Sequence, residues 1–337
     1  MKQHNLAISC SQLSKAYQTY KKEEGLRGSL KSLIFRKTIS KVALHPLELS
    51  IEKSAIIGLL GSNGAGKTTL MKMLSGIIVP SSGTVHVLDE IPHLRKNSFK
   101  KRIALAMGQK NQLWWDLPAQ DSFNLLKEYY EISEKDYRNR LGLLKEMMQV
   151  DNILNIQVRR LSLGERMKVE IIACLLHSPE LILLDEPTIG LDAIAQERLR
   201  QFFRNYHAEH KPTIILTSHY MVDIEALCPH IVLLSEGNKL FDGPRENLTK
   251  VLESRKRLCL IFASNHGVNP KHHLLSPHHP HWTHENEVQL DINRDHLRDI
   301  TSQLLQQLPV KDFSTEETPF ESVMEEILAN PDILKQL

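Results

Sequence analysis

The apolar run Ala55-Ile56-Ile57-Gly58-Leu59-Leu60 breaks directly into Gly61-Ser62-Asn63-Gly64-Ala65-Gly66-Lys67-Thr68, and this junction constrains the fold more than any other stretch of the chain. A short, bulky apolar run bounded by glycines predicts a strand buried on both faces, as in a parallel sheet covered by helices. The residues that follow match G-x-x-x-x-G-K-[ST], and a helix is predicted from Thr68 to Leu74. Glycines permit the backbone angles that turn successive N–H groups inward around a phosphate, and the helix adds its positive end. Gly61 through Thr69 therefore form the expected phosphate cradle. Within it Lys67 should reach the β and γ phosphates of a nucleotide, and Thr68 should ligate Mg2+. A purely structural turn would explain Gly61 and Gly66 but not the Lys67-Thr68 pair.

A complementary half lies downstream. Leu181-Ile182-Leu183-Leu184 predicts a second buried strand, and it ends in Asp185-Glu186. Parallel sheets bind their ligands at the carboxyl edge of the strands, where these two acids fall. Asp185 is placed to hold Mg2+ through water, and Glu186 to polarise a water that attacks the γ-phosphate. Further strands are predicted at Leu6–Ser9, Ala43–Ile51, Thr213–Thr217 and Ile231–Leu234, with helices at Ala193–Tyr206 and Met221–Leu227. That alternation is the βαβ rhythm of a parallel sheet. From about Phe123 to Ile156 the apolar spacing is helical, which implies a helical subdomain.

At 337 residues the chain is long enough for two domains, and 41% hydrophobic with 24% charged residues excludes disordered, collagenous and disulfide-scaffold classes. A formal net charge of +2 gives no bulk attraction for nucleic acid. Cys10, Cys174, Cys228 and Cys259 lie far apart with no C-x-x-C pair, so buried thiols in a reducing cytoplasm are expected. Met1 to Cys10 lacks a secretory apolar region, and the longest apolar runs are about a third of a membrane span. The chain is not expected to cross a membrane itself.

Taken in order, these motifs resemble the ATP-binding subunits of ABC transporters over roughly residues 5 to 250. Gln109, in Met107-Gly108-Gln109, resembles the family's Q-loop glutamine, which senses Mg2+ and water. Leu161-Ser162-Leu163-Gly164-Glu165 resembles the signature, usually LSGGQ, and Gly190-Leu191-Asp192 resembles the D-loop. Thr217-Ser218-His219 resembles the switch-histidine loop. Tyr17, in Ser14-Lys15-Ala16-Tyr17, takes the place of the aromatic that stacks on adenine, although Tyr20 is close and an ordinary surface tyrosine is the competing reading. The resemblance implies an α/β fold of the P-loop NTPase class. It has a RecA-like parallel core, an N-terminal antiparallel β subdomain and a helical subdomain at about residues 110–165, all within a nucleotide-binding domain over 1–254.

The resemblance also implies a mechanism and partners. Glu186, His219 and Gln109 would be catalytic, and Thr68, Gln109 and Asp185 would hold Mg2+. ATP would lie between the P-loop of one copy and Ser162, Gly164 and Asp192 of a second copy or a paralogous subunit. The dimer would drive a separate membrane permease from its cytoplasmic face, in a subgroup generally described as exporters. Two departures stand out: Leu163 replaces a glycine and Glu165 a glutamine. Ser162-x-x-Glu165 also reads as a capping box, and near a phosphate the Glu165 charge would repel by about 1 kcal/mol. Two other readings follow the same motifs. One is a soluble member acting on ribosomes or DNA, opposed by the single cassette and by the lack of a coiled-coil insertion. The other is a degenerate cassette that binds ATP as a switch, opposed by Glu186 and His219.

Three further stretches bear on partners. Lys21 to Lys41 carries seven basic residues against Glu23 and Glu24, with Leu26, Leu30, Leu33 and Ile34 on one helical face. Such a helix rests on acidic lipid or a membrane partner, or packs on its own domain. In Leu113-Trp114-Trp115-Asp116-Leu117-Pro118, one tryptophan is expected in the core and the other at the permease interface. Eight of the seventeen histidines fall between His266 and His296, in a segment whose prolines favour a solvated loop without metal. Residues 255–337 are expected to form an accessory, regulatory α+β domain. Its predicted elements are strands at Leu258–Phe262, Glu287–Ile292 and Val310–Ser314, and helices at Arg294–Leu308 and Pro319–Leu328, with Leu304, Leu305 and Leu308 as core positions.

Overall fold

The computed structural model describes residues 5–20, 38–107, 112–248, 255–263, 272–278, 280–317 and 320–336. These fall into two compact units, Met1–Gly243 and Pro244–Leu337. Most of the basic stretch Lys21 to Lys41, and Gln109 itself, lie outside the described residues.

In the first unit, β3 (Ile56–Leu60), β5 (Ile103–Met107), β6 (Leu181–Asp185), β7 (Thr213–Thr217), β8 (His230–Ser235) and β9 (Asn238–Pro244) form one sheet in the order β5-β6-β7-β3-β8-β9. The pairs β5–β6, β6–β7, β7–β3 and β3–β8 are all parallel. Leu181 to Leu184 are at most 1% exposed, which is why this strand reads as an unbroken apolar run rather than an alternation. A second sheet, β2-β1-β4, pairs β1 (Leu6–Tyr20) antiparallel with β2 (Thr38–Glu52) and with β4 (Ser82–Val87).

The strand β1 runs well past the predicted Leu6–Ser9. Its pairing with β2 shifts register between Cys10 and Leu13 and again before Ala16, and each bulge breaks the period-2 alternation by which a strand is read. The strands β4, β5 and β9 carry too few bulky residues to be read without their partners.

The helices of this unit longer than one turn are α1 (Lys67–Leu74), α2 (Ala119–Tyr129), α3 (Glu134–Met148), α4 (Leu163–Leu175), α5 (Ala193–His210) and α6 (Met221–Leu227). The predicted helical stretch is two helices, parted by Tyr130–Ser133, with Ser133 capping α3 through a bond from the Asp136 N–H. All four cysteines are free and buried, and burial pushes the Cys10 and Cys174 thiols up to about 12.

The second unit is α+β. Its sheet has the order β11-β12-β10-β13, from β10 (Arg255–Phe262), β11 (His281–His284), β12 (Glu287–Asn293) and β13 (Val310–Glu317). Leu258, Leu260, Phe262, Val288, Leu290 and Ile292 alternate inward and form the core with Leu304 and Leu308 of the α7 region (Leu297–Gln307). Leu305 is 39% exposed, so it lies outside the core expected for it. The helix predicted from Arg294 begins with a 3-10 turn capped by Asn293, and α8 (Phe320–Ala329) is followed by a 3-10 helix over Pro331–Gln336. The strand β11 runs through the histidine-rich tract that the sequence reads as loop, because its four residues are held by pairing to β12 rather than by apolar alternation.

His177, at the end of the α4 segment, stacks on Tyr130 with ring centroids 4.0 Å apart and an interplanar angle of 6°. Its Nε2 bonds the carbonyl of Ile103 at 2.9 Å, and burial holds its pKa at about 4 against an ordinary 6.5. Between these values an unfolded chain takes up a proton that the folded one refuses. Stability therefore falls as pH drops from 6.5 to 4, by about 3 kcal/mol for this group. His177→Gln keeps an N–H for the carbonyl and does not titrate. Urea unfolding at a series of pH values should show a shallower loss of stability across that window in the variant.

Candidate nucleotide site

The site is assembled where parallel strands end. After β3 the chain turns at Gly61, whose φ of 143° and position 2.1 Å (as a built Cβ) from the Leu234 carbonyl oxygen leave no room for a side chain. Ser62, Asn63 and Gly64 are exposed at the loop's outside, while Ala65 is 1% exposed and anchors it. Gly66 caps α1 without a side-chain bond and the first turn holds no acid, so the first N–H groups of the helix, over Lys67, Thr68 and Thr69, keep a positive end unopposed by any local side chain. Lys67 is 8% exposed and folds back to donate to the carbonyls of Gly61 at 2.6 Å and Ser62 at 3.1 Å. Burial lowers its pKa, while the charges of Glu186 and Asp185 oppose that shift. A buried ammonium held only by carbonyls, beside an uncapped helix end, is a mount for an anion.

The strand register brings the second half alongside. Asp185 pairs across β6–β7 with Thr217, and Met107 pairs across β5–β6 with Asp185. The Asp185 carboxylate accepts from Thr68 Oγ1 at 3.1 Å on one oxygen and from Thr217 Oγ1 at 2.8 Å on the other. Glu186 adopts φ 56°, the left-handed region that non-glycine residues avoid, and its N–H donates to the Thr217 carbonyl at 3.1 Å and hydroxyl at 3.0 Å. That turn sets the Glu186 carboxylate 2.8 Å from His219 Nε2. Lys67, Thr68, Asp185, Glu186, Thr217 and His219 thus form one linked cluster.

The signature segment sits on α4. Ser162 caps this helix: its hydroxyl accepts from the Glu165 N–H at 3.3 Å, and the Glu165 carboxylate takes the Ser162 N–H at 2.9 Å and hydroxyl at 2.7 Å. Within the single subunit the Ser162 hydroxyl is engaged by Glu165. These bonds hold the Glu165 carboxyl below the usual range. Leu163 lays its side chain on Gly190, where an added Cβ would stand 2.5 Å from Leu163 Cδ2. The leucine in the signature is thereby in contact with the D-loop. Asp192 caps α5 through the Ala195 N–H at 2.8 Å.

The remaining expected residues fall as follows. Tyr17 is half-buried on β1, and the Lys15 ammonium sits 5.3 Å from its ring centroid. Trp114 and Trp115 are 48% and 43% exposed, so neither is a core residue. Leu113, at 4%, fills the buried position, and the two larger rings are left outside, with the Arg166 guanidinium 5.3 Å from the Trp115 ring centroid.

A buried network beneath the site escaped the sequence motifs. Asp223, on α6 and fully buried, accepts from Arg200 at 2.6 Å, from Thr188 Oγ1 at 2.5 Å and from Ser218 Oγ at 2.7 Å. It ties the segment after β6 to the segment after β7. The one legible signal was an acid two residues into a helix that is otherwise apolar on that face. Asp223→Ala would remove the buried partner of Arg200, leaving it Glu197 alone, and would take the acceptor from the Thr188 and Ser218 hydroxyls. Urea unfolding should show a loss of about 1–3 kcal/mol.

The family model described as ABC transporter matches residues 44–189 of the chain. The ABC transporter ATP-binding protein NatA of Bacillus subtilis is 32% identical over 222 residues, covering 66% of this chain and 89% of that protein. The Nod factor export ATP-binding protein I of Cupriavidus metallidurans is 31% identical, over 61% of this chain and 68% of that protein. Among solved structures, a dimeric ATP-binding cassette in a post-hydrolysis state, bound to ADP and phosphate, superposes with a TM-score of 0.58 at 21% identity, over 70% of this chain and 98% of that one. With this fold, this P-loop and these relatives, the chain belongs to the ABC transporter family, as one of its ATP-binding, ATP-hydrolysing members.

Proposed function

We propose that the chain is the ATPase subunit of a transporter whose membrane pathway is a separate permease, and that it works as a dimer with export as its direction. The observation that carries the reading is the Thr68–Asp185–Thr217 link beside Lys67 and the Glu186–His219 pair, a complete set for phosphoryl transfer to water on one sheet edge. The export assignment is supported by the relative whose name states it. No helix among the described residues is long and apolar enough to cross a membrane, so the pathway is assigned to other chains.

Lys67 exchanges its two loop carbonyls for β and γ phosphate oxygens, and the open N–H groups of α1 take the remaining phosphate charge. Glu186 orients and deprotonates the attacking water, and His219, bonded to Glu186, holds that carboxylate in place. The donor set fits Mg2+: a hydroxyl and a carboxylate, both hard oxygen ligands, lie 3.1 Å apart, few enough that phosphate oxygens and water complete the shell. Thr68, Gln109 and Asp185 would hold Mg2+ there, and it would supply charge neutralisation on the phosphates. Tyr17 takes the adenine face.

In the dimer, Ser162, Gly164 and Asp192 face the partner's nucleotide. Ser162 must first give up its hydrogen bond to the Glu165 carboxylate, so this chain closes against a local, negatively charged competitor. Trp114 and Trp115, exposed beside the buried Leu113, are assigned to the permease. The second unit carries none of the nucleotide motifs and has its own core, and its role is regulatory.

Lys67→Ala should abolish Mg·ATP binding or hydrolysis with the fold intact, as read by calorimetry and phosphate release. Glu186→Gln should bind ATP and turn it over about 10²–10⁴-fold more slowly, and light scattering should show it dimeric at saturating Mg·ATP. Normal turnover in either variant would refute the assignment. Trp115→Ala, in permease-containing membranes, should weaken association by about 2 kcal/mol while basal ATPase stays unchanged.

A further inference from the structure

A cavity of about 190 Å³ opens in the first unit between the end of α3, the start of α4 and the Ala195 to Asn205 stretch of α5. None of its lining residues belongs to the phosphate loop or to β6 or β7. Met147, Met148, Met167, Leu191, Leu199 and Phe202 make most of its wall apolar. An apolar cavity of about 150 Å³ accepts a benzene ring, so this one holds a hydrocarbon body somewhat larger. Three methionines make a wall that adapts to a flexible chain rather than selecting one rigid shape.

Two cations, Lys168 and Arg198, stand on the same wall. Neither makes a hydrogen bond or an ion pair among the described residues, and the acids nearest in sequence are already engaged. The Glu165 carboxylate is bonded to Ser162 at 2.7 and 2.9 Å, and Glu197 is paired with Arg200 at 2.8 Å. Burial first, and then the Arg198 charge, lower the pKa of Lys168, while the Glu165 carboxylate, held on Ser162, opposes that shift. Apolar walls with two cations at one side, neither engaged in a hydrogen bond or ion pair among the described residues, are complementary to an amphipathic anion.

We propose that this cavity binds a carboxylate with a medium-length unbranched hydrocarbon chain, the carboxylate between Lys168 and Arg198 and the chain among the methionines. Gly164 and Leu191 also line the cavity, so an occupant touches both the signature segment and the D-loop. The binding itself does not depend on the transport reading, and its test does not read ATPase activity.

The probe is carboxyl-labelled octanoate, titrated into the full chain at neutral pH and followed by NMR and calorimetry. Saturable one-to-one binding is expected. The double variant Lys168→Gln with Arg198→Gln should weaken it by about tenfold or more, and 1-octanol, with the same chain and no charge, should bind wild type at least about tenfold more weakly than octanoate. Met147→Trp, which fills the cavity, should abolish binding with the thermal unfolding midpoint unchanged. Absence of saturable binding to wild type, equal affinity for octanol, or unchanged affinity in the double variant would each overturn the site. The double variant alters one half-buried and one exposed side chain, so it gives a readout even where Met147→Trp fails to fold.

Discussion

The parallel register of β6 on β7 is the constraint on which the nucleotide site depends. It sets Asp185 opposite Thr217 and lets one carboxylate accept both from that threonine and from Thr68, 117 residues away in the chain. In a parallel sheet the strand ends all fall on one edge, so residues that follow different strands are gathered without any contact between their loops in sequence. A slip of one residue in β6 would turn Asp185 to the opposite face and leave Thr68 and Thr217 without their common acceptor. The burial of Leu181 to Leu184 resists such a slip, because it would also re-pack every side chain of the strand.

Charge at the site is held under tension. Lys67 is nearly buried and satisfied by carbonyls, which suits an ammonium poorly compared with phosphate oxygens. Glu186 sits in a left-handed conformation stabilised by two bonds to Thr217. Beneath them, Asp223 collects Arg200, Thr188 and Ser218 into a network that holds the two loops behind the site together. A buried ion pair of this kind adds little net stability, but it fixes geometry because breaking it leaves buried hydroxyl and guanidinium donors without their acceptor.

The signature segment departs from its family at two positions, and each departure has a local partner. Glu165 completes a capping box with Ser162, and Leu163 rests on Gly190. Both contacts lie inside one subunit. They couple the start of α4 to its own D-loop, and the cavity that shares Gly164 and Leu191 lies on the same pair of elements.

Local chemistry made much of this legible in the sequence. The phosphate loop is a contiguous motif whose residue types follow from what a phosphate needs, and the buried strands β3, β6 and β7 announce themselves as apolar runs ending in polar residues. Where the signal was non-local, it did not. The strands β4, β5, β9 and β11 depend on their pairing partners, and bulges in β1 erase the alternation that would have shown its length. One of the adjacent tryptophans is expected in the core from the sequence, yet Leu113 takes the buried position and both rings stay exposed. Leu305 is likewise exposed beside the buried Leu304, since helical phase, set by the sheet it packs on, decides between neighbours. The Asp223 network and the cations left unpaired beside the methionine-lined cavity were decided by tertiary structure alone, because each depends on which side chains meet across elements far apart in the chain.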